Sequence, residues 1–453
     1  MEDTICAIAT SSGVGAISII RISGSEAISI ASKIFKDKDL TKVSTHTINY
    51  GHIVENDKII DEVLVTVMKS PNSFTTEDVV EINCHGGIAT TNKVLELLLI
   101  NGCRLAEKGE FTKRAYLNNR IDLQEAESVM DLVNANTEIQ RKMAINGLVG
   151  KVSNLINNLR SYLVEVISNI NVNMDHPEYD DVEVITNKVL EPKIKKVKEE
   201  IEKILKESEN GKIIKNGINI AIIGKPNVGK SSLLNALIEE DKAIVTNIAG
   251  TTRDIVEGVT TIKGIPLNII DTAGIRETVD VIEQLGIKKS KEAIDKADLV
   301  LFMINNNEKI DKELEELFES IQEKKYLVLV NKKDLETKID LKKLNLKKDI
   351  IIKMSLLNNF GLDKLKEKII ELYDLNELEN KDLIYLTNTR SISILKNCLE
   401  KIEDVEKGIQ NDIPIDMLEL DIKAIWEELG LINGTTYEDE LLDEMFKRFC
   451  IGK

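Results

Sequence analysis

Up to about Asn118 the hydrophobic positions fall in short runs broken by glycine, the pattern of a mixed α/β domain. Thr4–Thr10 and Gly15–Ile22 predict strands joined by a turn at Gly13 and Gly15, and Ser25–Phe35 predicts a helix. His46–Val54 and Ile60–Met68 predict a hairpin turned over Glu55-Asn56-Asp57-Lys58. Asp78–Asn83 reads as a strand, Gly86-Gly87 as a break and Ala89–Ile100 as a helix. From about Arg120 to Lys212 the spacing becomes helical, first over Leu123–Val133 and then over Val152–Ile170. The Lys/Glu-rich run Lys193–Glu207 places opposite charges four apart, Lys195 with Glu199, which predicts an exposed helix face. Asp175–Asp181 interrupts the helices as an acidic, solvated loop. His176 within it lacks any known metal-ligand spacing.

A third pattern begins at Ile218–Ile223, a short run apolar but for Asn219, as expected of a buried strand. Pro266–Ile270, Leu299–Asn305, Tyr326–Val330 and Ile350–Lys353 repeat it and predict a doubly wound domain. Leu375–Lys381 reads as a linker, and helices return from about Ser391 to the terminus. The boundaries are therefore 1–118, 119–215, 216–373 and 374–453. The two helical stretches are too elongated to fold well alone, so they are expected to pack together with the third segment inserted between them.

Four motifs follow strands of that inserted segment. Gly224-Lys225-Pro226-Asn227-Val228-Gly229-Lys230-Ser231 lies between a strand and the helical Ser232–Leu237, the context in which G-x-x-x-x-G-K-S cradles a polyphosphate on backbone N–H groups. Lys230 would reach the β- and γ-phosphates and Ser231 would hold Mg²⁺. Gly250-Thr251-Thr252-Arg253-Asp254 stands where a loop senses the γ-phosphate, and Asp271-Thr272-Ala273-Gly274 ends a strand with a carboxylate for Mg²⁺ through water. Asn331-Lys332-Lys333-Asp334 offers a carboxylate that accepts both N1–H and the exocyclic amine of guanine, so the segment is expected to bind a guanine nucleotide.

The position after Gly274, where many GTPases use Gln to orient water, is Ile275, which cannot do so. Either hydrolysis is very slow or another group acts. Asn227 is either a ligand to a monovalent cation beside the phosphates or an ordinary polar loop residue. Arg276 is either a switch residue or a solvated charge.

Composition narrows the setting. A chain of 453 residues carrying a formal charge of −17 is expected to hold two to four domains, and it is a poor candidate for broad adhesion to nucleic acid. Lys342-Lys343 and Lys347-Lys348, the densest basic cluster, read as surface charge. No stretch approaches the roughly 20 apolar residues of a membrane span, and Met1-Glu2-Asp3 does not resemble a secretory signal. Five scattered cysteines suggest a reducing cytoplasm.

The chain resembles the bacterial and organellar tRNA-modification GTPases of the wobble-uridine pathway over essentially its whole length. The carrying motifs are Ala16–Gly24, Ser73–Glu81 with His85-Gly86-Gly87, Gly109–Asn118 and the terminal Phe449-Cys450-Ile451-Gly452-Lys453. The resemblance implies a folate-binding-like α/β domain that also dimerises, a helical domain and an inserted Ras-like GTPase domain. It further implies potassium-dependent GTP hydrolysis and a flavin-dependent partner subunit. Together the two would install an aminomethyl-type group on carbon 5 of the wobble uridine, drawing on a formyl- or methylene-tetrahydrofolate.

Carried onto this chain, Asn227 and the loop Thr246-Asn247-Ile248-Ala249-Gly250-Thr251 would bind K⁺ and line the GTP site, with Thr246, Ile248 and Thr251 as ligands. Ser231 and Thr252 would hold Mg²⁺, beside Val228, Gly229 and Ser232. Glu283, by itself an ordinary exposed helix carboxylate, would orient the water. Ser355-Leu356 stands where the family has Ser-Ala; its backbone meets guanine, so the change is tolerated.

Arg21, Glu81, Arg120 and Lys453 would hold the folate, and Arg120 replaces the family's usual Lys with a planar, forked cation. Cys450 would attack carbon 6 of uridine, would handle the folate-borne carbon, or is inert. Two alternatives stand beside this reading: a regulatory GTPase of the ribosome-assembly type, and an N-terminal domain that only dimerises.

Overall fold

The computed structural model describes residues 3–11, 13–175, 185–240, 256–270, 292–344, 346–378 and 382–435, with 442, 445–447, 449, 451 and 452 near the terminus. The chain divides into two compact units. One comprises Met1–Val133, Gly147–Ile201 and Ser393–Lys453; the other comprises Asn134–Asn146 and Glu202–Ile392.

The first unit contains a six-stranded sheet of β1 (Ile5–Ile8), β2 (Ile17–Ser23), β3 (Thr47–Glu55), β4 (Lys58–Met68), β5 (Val79–His85) and β6 (Arg104–Leu105). Its order is β3-β4-β5-β2-β1-β6, antiparallel except where β1 meets β6. Side chains alternate across the sheet. Ile20, Ile22, Val65, Val80 and Ile82 face helices α1 (Ala27–Ile34) and α2 (Ile88–Ile100), packing with Ile30, Val94 and Leu98. Burying each such side chain contributes roughly 1.5–3 kcal/mol. On the opposite face, Ile5 and Ala7 pack with Phe111 of α3 (Glu110–Leu117) and with Phe74.

The expected hairpin forms, with β3 and β4 turning at Asn56 and Asp57, both in the left-handed region that asparagine and aspartate tolerate. Helices α4 (Leu123–Asn134), α5 (Glu138–Leu148), α6 (Lys151–Asp175) and α7 (Asn187–Asn216) follow. In α7 Lys195 and Glu199 are exposed while Ile194, Val197 and Ile201 are buried, so the charged run covers one face only.

The second helical stretch does pack on the first. Asn433 Nδ2 donates to Asn157 Oδ1 at 3.0 Å, the Arg160 guanidinium lies 4.5 Å from the Trp426 ring centre, and Lys198 pairs with Glu406 at 2.6 Å. The last long helix ends at Asn433, because Gly434 adopts φ +86 as its C-terminal cap. Tyr116 then fixes the turn by donating to the Gly434 carbonyl at 2.6 Å. Near the terminus Leu442, Met445 and Phe446 are again helical, as the spacing predicts.

The second unit holds β7 (Ile218–Ile223), β8 (Val256–Ile262), β9 (Ile265–Ile270), β10 (Leu299–Asn305), β11 (Tyr326–Asn331) and β12 (Ile351–Lys353) in the order β12-β11-β10-β7-β9-β8. All pairs are parallel except β8 with β9. Ile220 and Ile222 point to helices α8 (Lys230–Glu240) and α10 (Leu362–Leu372), and Ala221 and Ile223 point to α9 (Lys312–Glu319). Coverage of both faces is why these strands read as nearly continuous apolar runs, broken only by residues such as Asn219 and Asn268. Leu375–Lys381, expected as a linker, begins instead with a helical turn at Leu375–Leu378, because Leu375 is buried in the same core.

Candidate functional site

β7 lies between β9 and β10, the point in the sheet where connections diverge to either side, and ligands of open α/β sheets bind beyond the strand ends there. The turn leaving β7 is tight. A Cβ on Gly224 would lie 2.4 Å from the Met303 carbonyl oxygen, and one on Gly229, at φ +104, would lie 2.6 Å from Asn331 Nδ2. Both positions therefore need glycine. Lys230 opens α8 and folds back over the turn, donating to the carbonyls of Gly224 at 2.7 Å and Lys225 at 2.9 Å. Its ammonium is half-buried, and that desolvation lowers its pKa. A polyphosphate would offer the counter-charge that these carbonyls lack.

The same turn is tied to two more distant motifs. Asn331 Nδ2 donates to the Val228 carbonyl at 2.8 Å, Asn331 Oδ1 accepts from the Leu356 amide at 3.3 Å, and Lys332 Nζ donates to the Asn227 carbonyl at 3.0 Å. Asp334 Oδ1 accepts from Ser355 Oγ at 2.5 Å. Asn227 is exposed, with φ +61. Ser231 and Ser232 are exposed in the first turn of α8.

In the first unit Arg21 of β2 stands directly opposite Glu81 of β5, and Arg21 Nε donates to Glu81 Oε1 at 2.8 Å. The Arg21 guanidinium lies 5.7 Å from the ring centres of both Phe74 and Phe111, and that of Arg120 lies 4.9 Å from Phe74. Arg21 Nη1 also donates to the carbonyl of Gly452 at 3.4 Å. The loop carrying Phe74 is held by a polar network centred on the buried Ser23, Thr75 and Arg114. Ser23 Oγ bonds Thr75 Oγ1 at 2.6 Å and Glu77 Oε2 at 2.7 Å, Arg114 pairs with Glu77 at 3.2 Å, and Asn118 donates to the Thr75 carbonyl at 2.6 Å.

Comparison with known proteins covers the chain end to end. The model for the MnmE helical domain matches residues 123–450, and that for the GTP-binding protein TrmE N-terminus matches residues 4–120. The tRNA modification GTPase MnmE of Bacillus cytotoxicus is 50% identical over 455 residues, covering 100% of this chain and 99% of its own. That of Ligilactobacillus salivarius is also 50% identical over 455 residues, covering 100% of this chain and 98% of its own.

The chain belongs to the MnmE family of tRNA modification GTPases.

Among solved structures, the G domain of the T. maritima FeoB iron transporter is 31% identical over 35% of this chain and 98% of its own, with a TM-score of 0.26. As an MnmE-family enzyme the chain is a GTP hydrolase, with a mixed α/β domain, a helical domain and a GTPase domain. Of the residues expected to act, the structure brings Asn227, Val228, Gly229, Lys230, Asn331, Lys332, Asp334, Ser355 and Leu356 to one side of the second unit's sheet. It brings Arg21, Glu81 and Arg120 together around Phe74. Thr246–Thr252, Asp271–Gly274, Glu283, Cys450 and Lys453 lie outside the described residues, as does the His176 loop.

Sequence reasoning did not single out Phe74, Phe111 or Gly452, although each lies within a quoted motif. It also missed Lys225, which pairs with Asp311 at 2.5 Å and Glu313 at 2.6 Å beside the phosphate loop. No helix among the described residues is long and apolar enough to cross a membrane.

Proposed function

We propose that this MnmE-family enzyme is a potassium-activated GTPase that modifies carbon 5 of the wobble uridine of certain tRNAs. It acts with a flavin-dependent partner subunit and takes its one-carbon unit from a reduced folate. The observation that carries this reading is the meeting of both chain ends at one side chain: Arg21 pairs with Glu81 at 2.8 Å and reaches the carbonyl of Gly452, in the tail that bears Cys450. A pterin calls for a carboxylate and a glutamate tail for cations. Glu81 supplies the first; Arg21 and Arg120, with Lys453, supply the second. Phe74 offers a flat apolar wall between the two arginines. The Cys450 thiol would then be the nucleophile toward uridine carbon 6 or the group that handles the folate-borne carbon.

In the GTPase domain, Ser231 and Thr252 would hold Mg²⁺. Asn227, Thr246, Ile248 and Thr251 would hold K⁺, which supplies the positive charge that an arginine finger brings elsewhere. The fit rests on the exposed Asn227 amide beside a turn that Lys230 already bridges. Glu283 would orient the attacking water in place of the Gln that Ile275 displaces.

A homodimer is supported by Ile17, Ile48, Tyr50 and Leu64. They are exposed on the same sheet face as Arg21, with Ile48 in the cross-strand row Ile48-Thr66-Glu81-Arg21. Calorimetric titration with 5-formyltetrahydrofolate tests the reading. Wild type is expected to bind, and Arg21→Ala to bind at least about tenfold more weakly. No binding by wild type, or equal binding by the variant, would overturn it.

A further inference from the structure

An exposed loop in the second unit is anchored from beneath by one buried amide. Asn306 follows β10 directly and is 3% exposed. Its backbone N–H extends the ladder to β11 by donating to the Asn331 carbonyl at 2.9 Å, and its own carbonyl accepts from the amides of Lys338 at 2.8 Å and Ile339 at 3.2 Å. Its side-chain Nδ2 donates to the Leu335 carbonyl and to Thr337 Oγ1, each at 3.0 Å. Lys333 through Lys338 are all exposed, so no burial of their own side chains fixes the course of this segment. Other ties near Asp334 are the Leu335 amide to the Lys332 carbonyl at 3.0 Å, the Lys333 amide to the Met354 carbonyl at 3.1 Å, Lys333 Nζ at 4.6 Å from the Phe360 ring centre, and the Ser355 hydroxyl on the Asp334 carboxylate itself at 2.5 Å; none of these holds the backbone beyond Leu335.

We propose that Asn306 is a positioning residue for guanine recognition: it fixes the backbone on either side of Asp334 and so the angle at which that carboxylate meets the base. This rests on reading Asp334 as the group that accepts N1–H and the exocyclic amine together. A two-point contact demands that angle more strictly than a single hydrogen bond does. Asparagine suits the position because one side chain must present two donors to two separate acceptors. Aspartate would aim a charge at the Leu335 carbonyl, and alanine would leave both acceptors bare.

The discriminating measurement compares dissociation constants for GDP and for inosine diphosphate, which lacks the exocyclic amine, on the full-length protein. Wild type is expected to prefer GDP. Asn306→Ala and Asn306→Asp are expected to lower that preference about tenfold, chiefly by weakening GDP. Equal weakening of both nucleotides, with the preference unchanged, would make Asn306 merely structural and overturn the proposal. So would no weakening of either.

Should both variants fail to fold, Thr337→Val removes one acceptor from the exposed loop and decides the matter. The preference falls about threefold on our account, and no fall overturns it. Asp334→Asn separates the underlying reading: an unchanged preference in that variant would mean Asp334 does not read guanine, whatever Asn306 does.

Discussion

Arg21 and Gly452 stand 431 positions apart in the chain, and Arg21 Nη1 donates to the Gly452 carbonyl at 3.4 Å. The contact is built on backbone geometry. Ile451 bridges to Lys108, and Gly452 adopts φ +89, with its Cα so close to β1 that a Cβ would lie 2.5 Å from the Ile8 carbonyl oxygen. A sheet residue with a carboxylate partner thereby also holds the end of the chain.

Gly452→Ala should loosen that tail without touching Arg21 or Glu81. The left-handed φ and the overlap cost about 1–3 kcal/mol, which corresponds to roughly a five- to 150-fold weaker docking equilibrium. Limited proteolysis of the terminus should accelerate, while GTP turnover stays at its wild-type rate. A protease-resistant terminus in the variant would show that the docking is not held by this glycine.

Potassium should matter to hydrolysis through Asn227. Turnover of GTP in KCl should exceed that in NaCl at matched ionic strength, and Asn227→Ala should lose on the order of a hundredfold and become insensitive to the cation. Equal rates of wild type in the two salts would remove potassium from the account.

His85 and Asp61 make a pH-dependent clasp across the N-terminal sheet. His85 Nδ1 lies 2.7 Å from Asp61 Oδ1, and its backbone N–H donates to Asp61 Oδ2 at 2.8 Å. The hydrogen bond to Asp61 raises the imidazole pKa above its ordinary value of about 6.5. A raised folded-state pKa favours the protonated form, so the stabilisation is complete below the unfolded value and fades as pH rises through the folded one. In an NMR titration Asp61→Asn should bring the His85 midpoint down. An unmoved midpoint would refute the clasp.

Strands buried on both faces were the most legible elements. Ile218–Ile223 and Leu299–Asn305 are legible with the bounds they adopt, because a strand covered on two sides needs apolar residues at nearly every position. β8 was missed because Val256–Ile262 mixes polar residues into an edge strand, where one side of the ladder is open. α3 was visible only as a motif. Its buried face includes Thr112 and Arg114, the latter fully buried against Asp3, Glu77 and Glu110, so hydrophobic period gives no sign of it.

The phosphate and base motifs announce themselves by spacing, since each sits on one turn after one strand. The setting of Arg21 does not, because Phe74, Phe111 and Gly452 reach it from three separate parts of the chain. Only the fold puts them in one place.

On the proposed function, GTP hydrolysis in one unit serves base chemistry around Arg21 in the other. Nucleoside analysis of tRNA incubated with the full chain, its flavin-dependent partner, a reduced folate and GTP in potassium buffer tests it most directly. Wild type should yield wobble uridine substituted at carbon 5, and Arg21→Ala should yield little or none while still hydrolysing GTP. Full substitution by Arg21→Ala, or by wild type without GTP, would contradict the account.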